Sequence, residues 1–175
     1  FLHMPEYYIG GFFTINGLVT VFLQYWASKW AAKVRLSTGM LVGCLLYAVG
    51  FGSVGFFDSF LLIGFGVFLA GVGELIVSPG EQTLVSNIAS RETRGRYLGM
   101  LMVFYNLGSA VGFFGAGMLG DYVAPRYLAG PWLIVGVLAV LAGVGFFRMR
   151  YSLTNEEDGK MTAPVPIKKD TVTLH

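Results

Sequence analysis

The chain has 175 residues, 55% of them hydrophobic and only 13% charged, where soluble domains carry nearer a quarter charged residues. So much apolar surface cannot be hidden in one core of this size, and a net charge of +2 does not mark a nucleic-acid-binding protein. A single cysteine, Cys44, excludes an internal disulfide and any CxxC site, and His3 and His175 sit at opposite ends with no ligand spacing.

A spanning helix needs about 20 mostly apolar residues. Five stretches meet that need, and together they predict an all-α polytopic transmembrane helix bundle. The first runs from Tyr8 to Ala32 and the second from Leu36 to Phe57, with a turn at Asp58 and Ser59. The third runs from Phe60 to Ile88 and carries two acids, Glu74 and Glu81. A polar, basic segment from Ala89 to Arg96 leads into the fourth, Tyr97 to Gly120. The loop from Asp121 to Pro131 holds two prolines, and Pro131 suits the first turn of the fifth helix, Trp132 to Phe147. Residues 1–150 therefore read as a five-helix membrane region, and residues 151–175, charged and then proline-bearing, as a disordered cytoplasmic tail.

Lysine and arginine placement sets the expected orientation. Lys29, Lys33 and Arg35, then Arg91, Arg94 and Arg96, then Arg148 and Arg150 all fall on one side of five alternating crossings. The other side receives Arg126. The expectation is a multi-pass cell-membrane protein with Phe1 outside and the tail in the cytoplasm. The chain opens on Phe1, not Met, and its odd helix count suits a fragment that lacks earlier helices. Glycine is abundant, at 25 residues, and clusters in the third and fourth helices, where small residues let backbones approach.

Glu74 lies near the middle of the third helix. A charge at that depth costs at least about 2.5 kcal/mol, so the acid must face a cavity or a partner. A group so placed is suited to load and release a proton. Glu81 is two helical turns on, sharing that face, and is placed just past Pro79 to pair with an arginine. Asn16, Thr20 and Gln24 recur every four residues on the first helix, a polar stripe fit to line a wet path or to bond a neighbouring helix. Tyr105, Asn106 and Ser109 interrupt the fourth helix as further cavity-lining candidates. Trp26, Trp30 and Trp132 fall near helix ends, as interfacial anchors do. HExxH, GxSxG and a Walker lysine are absent, so neither catalytic residues nor a metal or cofactor site is expected.

Several segments resemble one family. Asn16-Gly17-Leu18-Val19-Thr20-Val21-Phe22-Leu23-Gln24 is similar to the eighth helix of major facilitator superfamily transporters of the drug:proton antiporter branch. Gly73-Glu74, Ser78-Pro79 and Thr83-Leu84-Val85-Ser86-Asn87-Ile88-Ala89 resemble its tenth helix. Arg94-Gly95-Arg96-Tyr97-Leu98-Gly99 resembles the loop into the eleventh, and Gly108-Ser109-Ala110-Val111-Gly112 with Gly115 to Gly120 resembles that glycine-rich helix. The likeness covers Tyr8 to Phe147 and implies helices eight to twelve, with the N-terminal half missing. It implies that Glu74 serves coupling or cation recognition and that Arg94 and Arg96 stand at the cytoplasmic gate. The Lys29 to Ser37 loop keeps the basic character of the family's loop motif but has no acid.

The function expected from the residues and the resemblance together is part of a secondary active transporter. It would couple proton uptake to efflux of a small amphipathic molecule by alternating access, with the lipid bilayer, the substrate, protons and the other half as partners. A metabolite or sugar symporter is the alternative carrier, and a non-transporting membrane subunit is the alternative from another class.

Overall fold

A computed structural model describes residues 7–31, 33–57 and 59–159, with some side chains in the first helix, Asn16 among them, outside the described residues. Five long helices follow one another: α1 (Tyr7–Ala31), α2 (Leu36–Val54), α3 (Phe60–Ile88), α4 (Arg94–Met118) and α5 (Gly130–Met149). In lipid each backbone N–H and C=O must be satisfied inside its own segment, which leaves long uninterrupted helices as the solution for apolar runs of this length. Four of them, α2 to α5, are long and apolar enough to cross a membrane. α1 has 25 residues, about 37 Å of helix, and is the one that carries the polar stripe.

The breaks between helices have local causes. The turn between α1 and α2 closes through the Lys33 and Val34 amides, which donate to the carbonyls of Trp30 and Ala31. Between α3 and α4, Ser90 takes the amides of Thr93 and Arg94 on its carbonyl, and the two hydroxyls of Ser90 and Thr93 meet at 2.8 Å. That tight turn lets α4 begin at Arg94, so Arg94 and Arg96 stand in its first turn and not in a loop. At its far end α4 runs into a wide turn over Leu119–Val123, where the Ala124 amide reaches back five residues to Leu119. The expected loop from Asp121 is thus partly helical. Pro131 occupies the start of α5, where its missing N–H costs nothing.

α2 is the hub. It packs along α3 on one side and α5 on the other, while α1 lies against α3. Leu36 and Met40 of α2 are fully buried, and with Ala31, Ile76 and Leu84 they form a cluster capped by Leu46, Phe146 and Leu153. Glycines set the closeness of these contacts. A methyl group at Gly50 would sit 2.6 Å from the Gly66 carbonyl, and one at Gly73 would sit 2.6 Å from the Gly43 carbonyl. Gly143 of α5 meets Cys44 of α2 in the same way. Such approaches replace the hydrophobic drive that lipid does not supply.

α4 is different: it has no buried residue and only a slight contact with α3. Phe113 and Phe114 are about as exposed as side chains become, and α1 and α5 also turn large apolar side chains outward. Tyr25, Trp26 and Trp30 are exposed near the basic end of α1, with the Lys29 ammonium 6.0 Å from the Tyr25 ring centre.

One expectation is corrected here. The chain does not become irregular at residue 151. Residues 151–159 form turns, and Asp158 is among the most buried side chains of the described residues. They are held because Asp158 accepts hydrogen bonds from the start of α2, which charge-rich composition alone does not reveal. Residues from 160 onward lie outside the described residues.

Candidate functional site

Every fourth residue on one face of α3 is polar: Glu74, Ser78 and Gln82, with Glu81 beside Gln82. α3 stays continuous through Pro79, although Pro79 supplies no N–H to the Leu75 carbonyl. The Thr83 hydroxyl donates to the Pro79 carbonyl at 2.8 Å, so this turn of the helix is rich in redirected polar groups.

The lower part of that face closes against α4. Ser78, Glu81 and Gln82 from α3 and Leu101, Met102 and Tyr105 from α4 line a cleft of about 90 Å³, with room for several water molecules. Glu81 is half-buried there, and Tyr105 is largely exposed at the rim. α4 approaches α3 only loosely, which is why the cleft exists at all.

Glu74 lies on the same face outside this cleft, exposed. Tyr47 of α2 lies within electrostatic reach of Glu74, Tyr105 and Glu81. Its ring stacks on Phe51 at 5.7 Å, one helical turn on, which orients the phenol. Neither the type nor the spacing of Tyr47 drew attention in the sequence. Ser78 and Gln82 were not singled out from the sequence as cleft residues; the four-residue repeat that Glu74 begins is the signal that points to them.

The other candidates are placed elsewhere. Asn106 turns its amide back onto the Met102 carbonyl at 2.7 Å, and Ser109 is half-buried one turn on; neither lines the cleft. Thr20 and Gln24 are exposed on α1, also outside it, and the side chain of Asn16 lies outside the described residues. Arg94 donates to the Ser86 carbonyl at 3.1 Å, tying the start of α4 to the end of α3, while its buried Nε has no acceptor among the described residues. Arg96 is exposed. The expected pairing of Glu81 with an arginine is not formed: the one ion pair among the described residues joins Arg35 to Asp158. Arg94 instead donates to the Ser86 carbonyl, five residues and about one and a half helical turns beyond Glu81.

Chemically, such a set of groups offers hydrogen-bond donors, acceptors and one titratable carboxyl at the seam of two mostly apolar helices. An acid, two hydroxyls and an amide line a space for several waters, and one of the two walls is weakly fixed. Among the described residues no cluster could hold a metal ion.

The chain is similar to several multidrug resistance proteins. It is 27% identical over 145 residues to the multidrug resistance protein MdtH of Sodalis glossinidius, covering 78% of this chain and 34% of that protein. To the MdtH of Aeromonas hydrophila it is 27% identical over 137 residues, covering 75% and 34%. To an MdtH of Escherichia coli it is 25% identical over 130 residues, covering 73% and 32%. The chain therefore spans about a third of the length of these relatives. No solved structure matches it. The sequence profile of the Major Facilitator Superfamily matches residues 2–173, nearly the whole chain, and with the all-helical membrane fold this places the chain in that superfamily of transporters.

Proposed function

We propose that this chain forms the C-terminal helices of a proton-coupled carrier that exports small amphipathic molecules by alternating access. The observation that carries this reading is the cleft between α3 and α4, which half-buried Glu81 lines together with Ser78, Gln82 and, at its rim, Tyr105. An ionisable group held at such a place is costly to a membrane protein and marks an ion or substrate path. The names of the similar proteins, which refer to multidrug resistance, support an efflux direction.

In this reading Glu81 takes the proton from one side of the membrane and releases it to the other. Glu74, on the same face, meets the substrate or the proton where a facing half of the carrier would pack. Carriers built from repeats bind at the midplane between them, so the exposed part of the α3 face is the wall this chain contributes. The basic end, with Lys33, Arg35, Arg94 and Arg96, faces the cytoplasm.

The test uses the full-length protein in liposomes, with an imposed pH gradient and a fluorescent lipophilic dye as cargo. Glu81→Gln is expected to abolish proton-driven export while dye still exchanges down its own gradient. Unchanged proton-driven export in both Glu81→Gln and Glu74→Gln would overturn the reading.

A further inference from the structure

The segment that follows α5 is fastened to the bundle by contacts from three directions. The Ser37 amide and hydroxyl both donate to the Asp158 carboxylate, each at 2.9 Å, one to each oxygen. The Leu36 amide donates to the Gly159 carbonyl at 3.2 Å. These are two of the amides at the start of α2, which no helical carbonyl satisfies. The carboxylate also meets the positive end of the α2 dipole. Arg35, just before the helix, reaches Asp158 at 4.0 Å and the Asn155 side-chain oxygen at 3.4 Å. From α3, the Asn87 side chain donates to the Glu157 carbonyl at 3.1 Å. From below, Leu153 packs against the cluster of Ala31, Leu36, Met40, Ile76 and Leu84.

The segment is also built to hold its own shape. The Thr154 amide and hydroxyl both donate to the Glu157 carboxylate at 2.8 Å, and the Glu157 amide returns a bond to the Thr154 hydroxyl at 3.3 Å. The Asp158 amide closes the turn on the Thr154 carbonyl. That is a reciprocal capping arrangement, and it presents Asp158 in one orientation. The basic turn ahead of α2 has no acid of its own, so the carboxylate it uses comes from the far end of the chain.

We propose that residues 153–159 are a strap that fastens the basic ends of α2, α3 and α5 into one body and leaves α4 free to move against it. The strap touches the start of α2, the last turn of α3 and the chain leaving α5. Among the described residues none of its hydrogen bonds or ion pairs reaches α4, the helix with no buried residue. Asp158 is its buckle, a positioning residue remote from the cleft. The proposal does not depend on which ion or cargo the protein moves.

Hydrogen exchange on the full-length protein in lipid tests it. Asp158→Ala is expected to speed exchange in residues 35–39 and 85–89 by about tenfold, the change expected when a capping side chain is lost from a locally opening helix end. Residues 97–107 of α4 are expected to keep their rate. Unchanged exchange at 35–39, or an equal rise in α4, would overturn the strap. Should Asp158→Ala fail to reach the membrane, Arg35→Gln keeps both Ser37 bonds and serves instead. It is expected to speed exchange in 153–159 by about twofold or more, since a partly exposed ion pair contributes modestly. No change there would equally overturn the proposal.

Discussion

α3 and α4 are both rich in glycine, and they use it in opposite ways. On α3, Gly66 and Gly73 lie directly against α2, where an added methyl group would strike the backbone of Gly50 or Gly43. On α4, Gly99, Gly108, Gly112, Gly115 and Gly117 have nothing near the place a side chain would occupy. Glycine in one helix is the condition for a contact already made. In the other it leaves a surface on which no described residue sits. The same composition thus marks a fixed wall and a mobile or unpartnered one, and the cleft lies where the two walls meet.

Substitutions break or sharpen this contrast. The largest effect is expected from Gly50→Leu, since even a methyl group there would lie 2.7 Å from the Ala70 amide nitrogen as well as against Gly66. Backbone cannot give way as a flexible side chain does, so a loss of about 1–3 kcal/mol or more is expected, read as a lowered melting temperature in detergent. Stability equal to wild type would mean that α2 and α3 are not so close. Arg35→Gln comes next. Its guanidinium is about half exposed, so removing it is expected to cost about 1 kcal/mol or less by the same melting measurement.

A smaller effect concerns pH. The amide and hydroxyl of Thr154 hold the Glu157 carboxyl below its ordinary value of 4.5. A carboxylate so depressed contributes stability that is present above the ordinary range and is lost as pH falls through its lower folded value. Protection of the Thr154 amide, relative to its intrinsic exchange rate, is expected to be lost only below pH 4.5, and Thr154→Ala, which removes the hydroxyl but keeps the amide, is expected to raise the carboxyl only part of the way back to the ordinary range. The smallest effect is expected from Gly112→Ala in this chain alone, within about 0.5 kcal/mol of neutral. In the full-length protein a large loss from the same change would reveal a helix seated on that face.

Much of the helical frame was legible because long apolar runs leave few alternatives. The bounds of α3 agree with the sequence reading at both ends, set by Ser59 and Ala89 in extended backbone. The start of α4 was placed too late because Arg94 and Arg96 look like loop residues, while the Ser90–Thr93 turn already aligns their backbone. Glu74 was found from the cost of burying an acid, Glu81 from its place two turns further along the same face, and Tyr105 from its interruption of an apolar run. On the sequence alone, Glu74 takes the proton and Glu81 an ion pair; depth in the helix says nothing about which of them α4 approaches. Tyr47 stayed hidden for the same reason: an aromatic in an apolar helix gives no periodic sign of what its hydroxyl faces. The strap was hidden by its composition. Thr154 and Glu157, three residues apart, do carry a capping signal, but the buried role of Asp158 depends on a contact with Ser37 that no local pattern encodes.

The central claim is that the cleft between α3 and α4 is wet and belongs to the transport path. Gln82→Cys in a cysteine-free full-length protein, in its membrane, tests this most directly with a membrane-impermeant thiol reagent. Reaction at Gln82→Cys, slowed by a transported dye, with none at Phe113→Cys on the open apolar face, is the result this account expects. An unreactive Gln82→Cys beside a reactive Arg91→Cys would contradict it, and the cleft would then be a dry gap between two loosely packed helices.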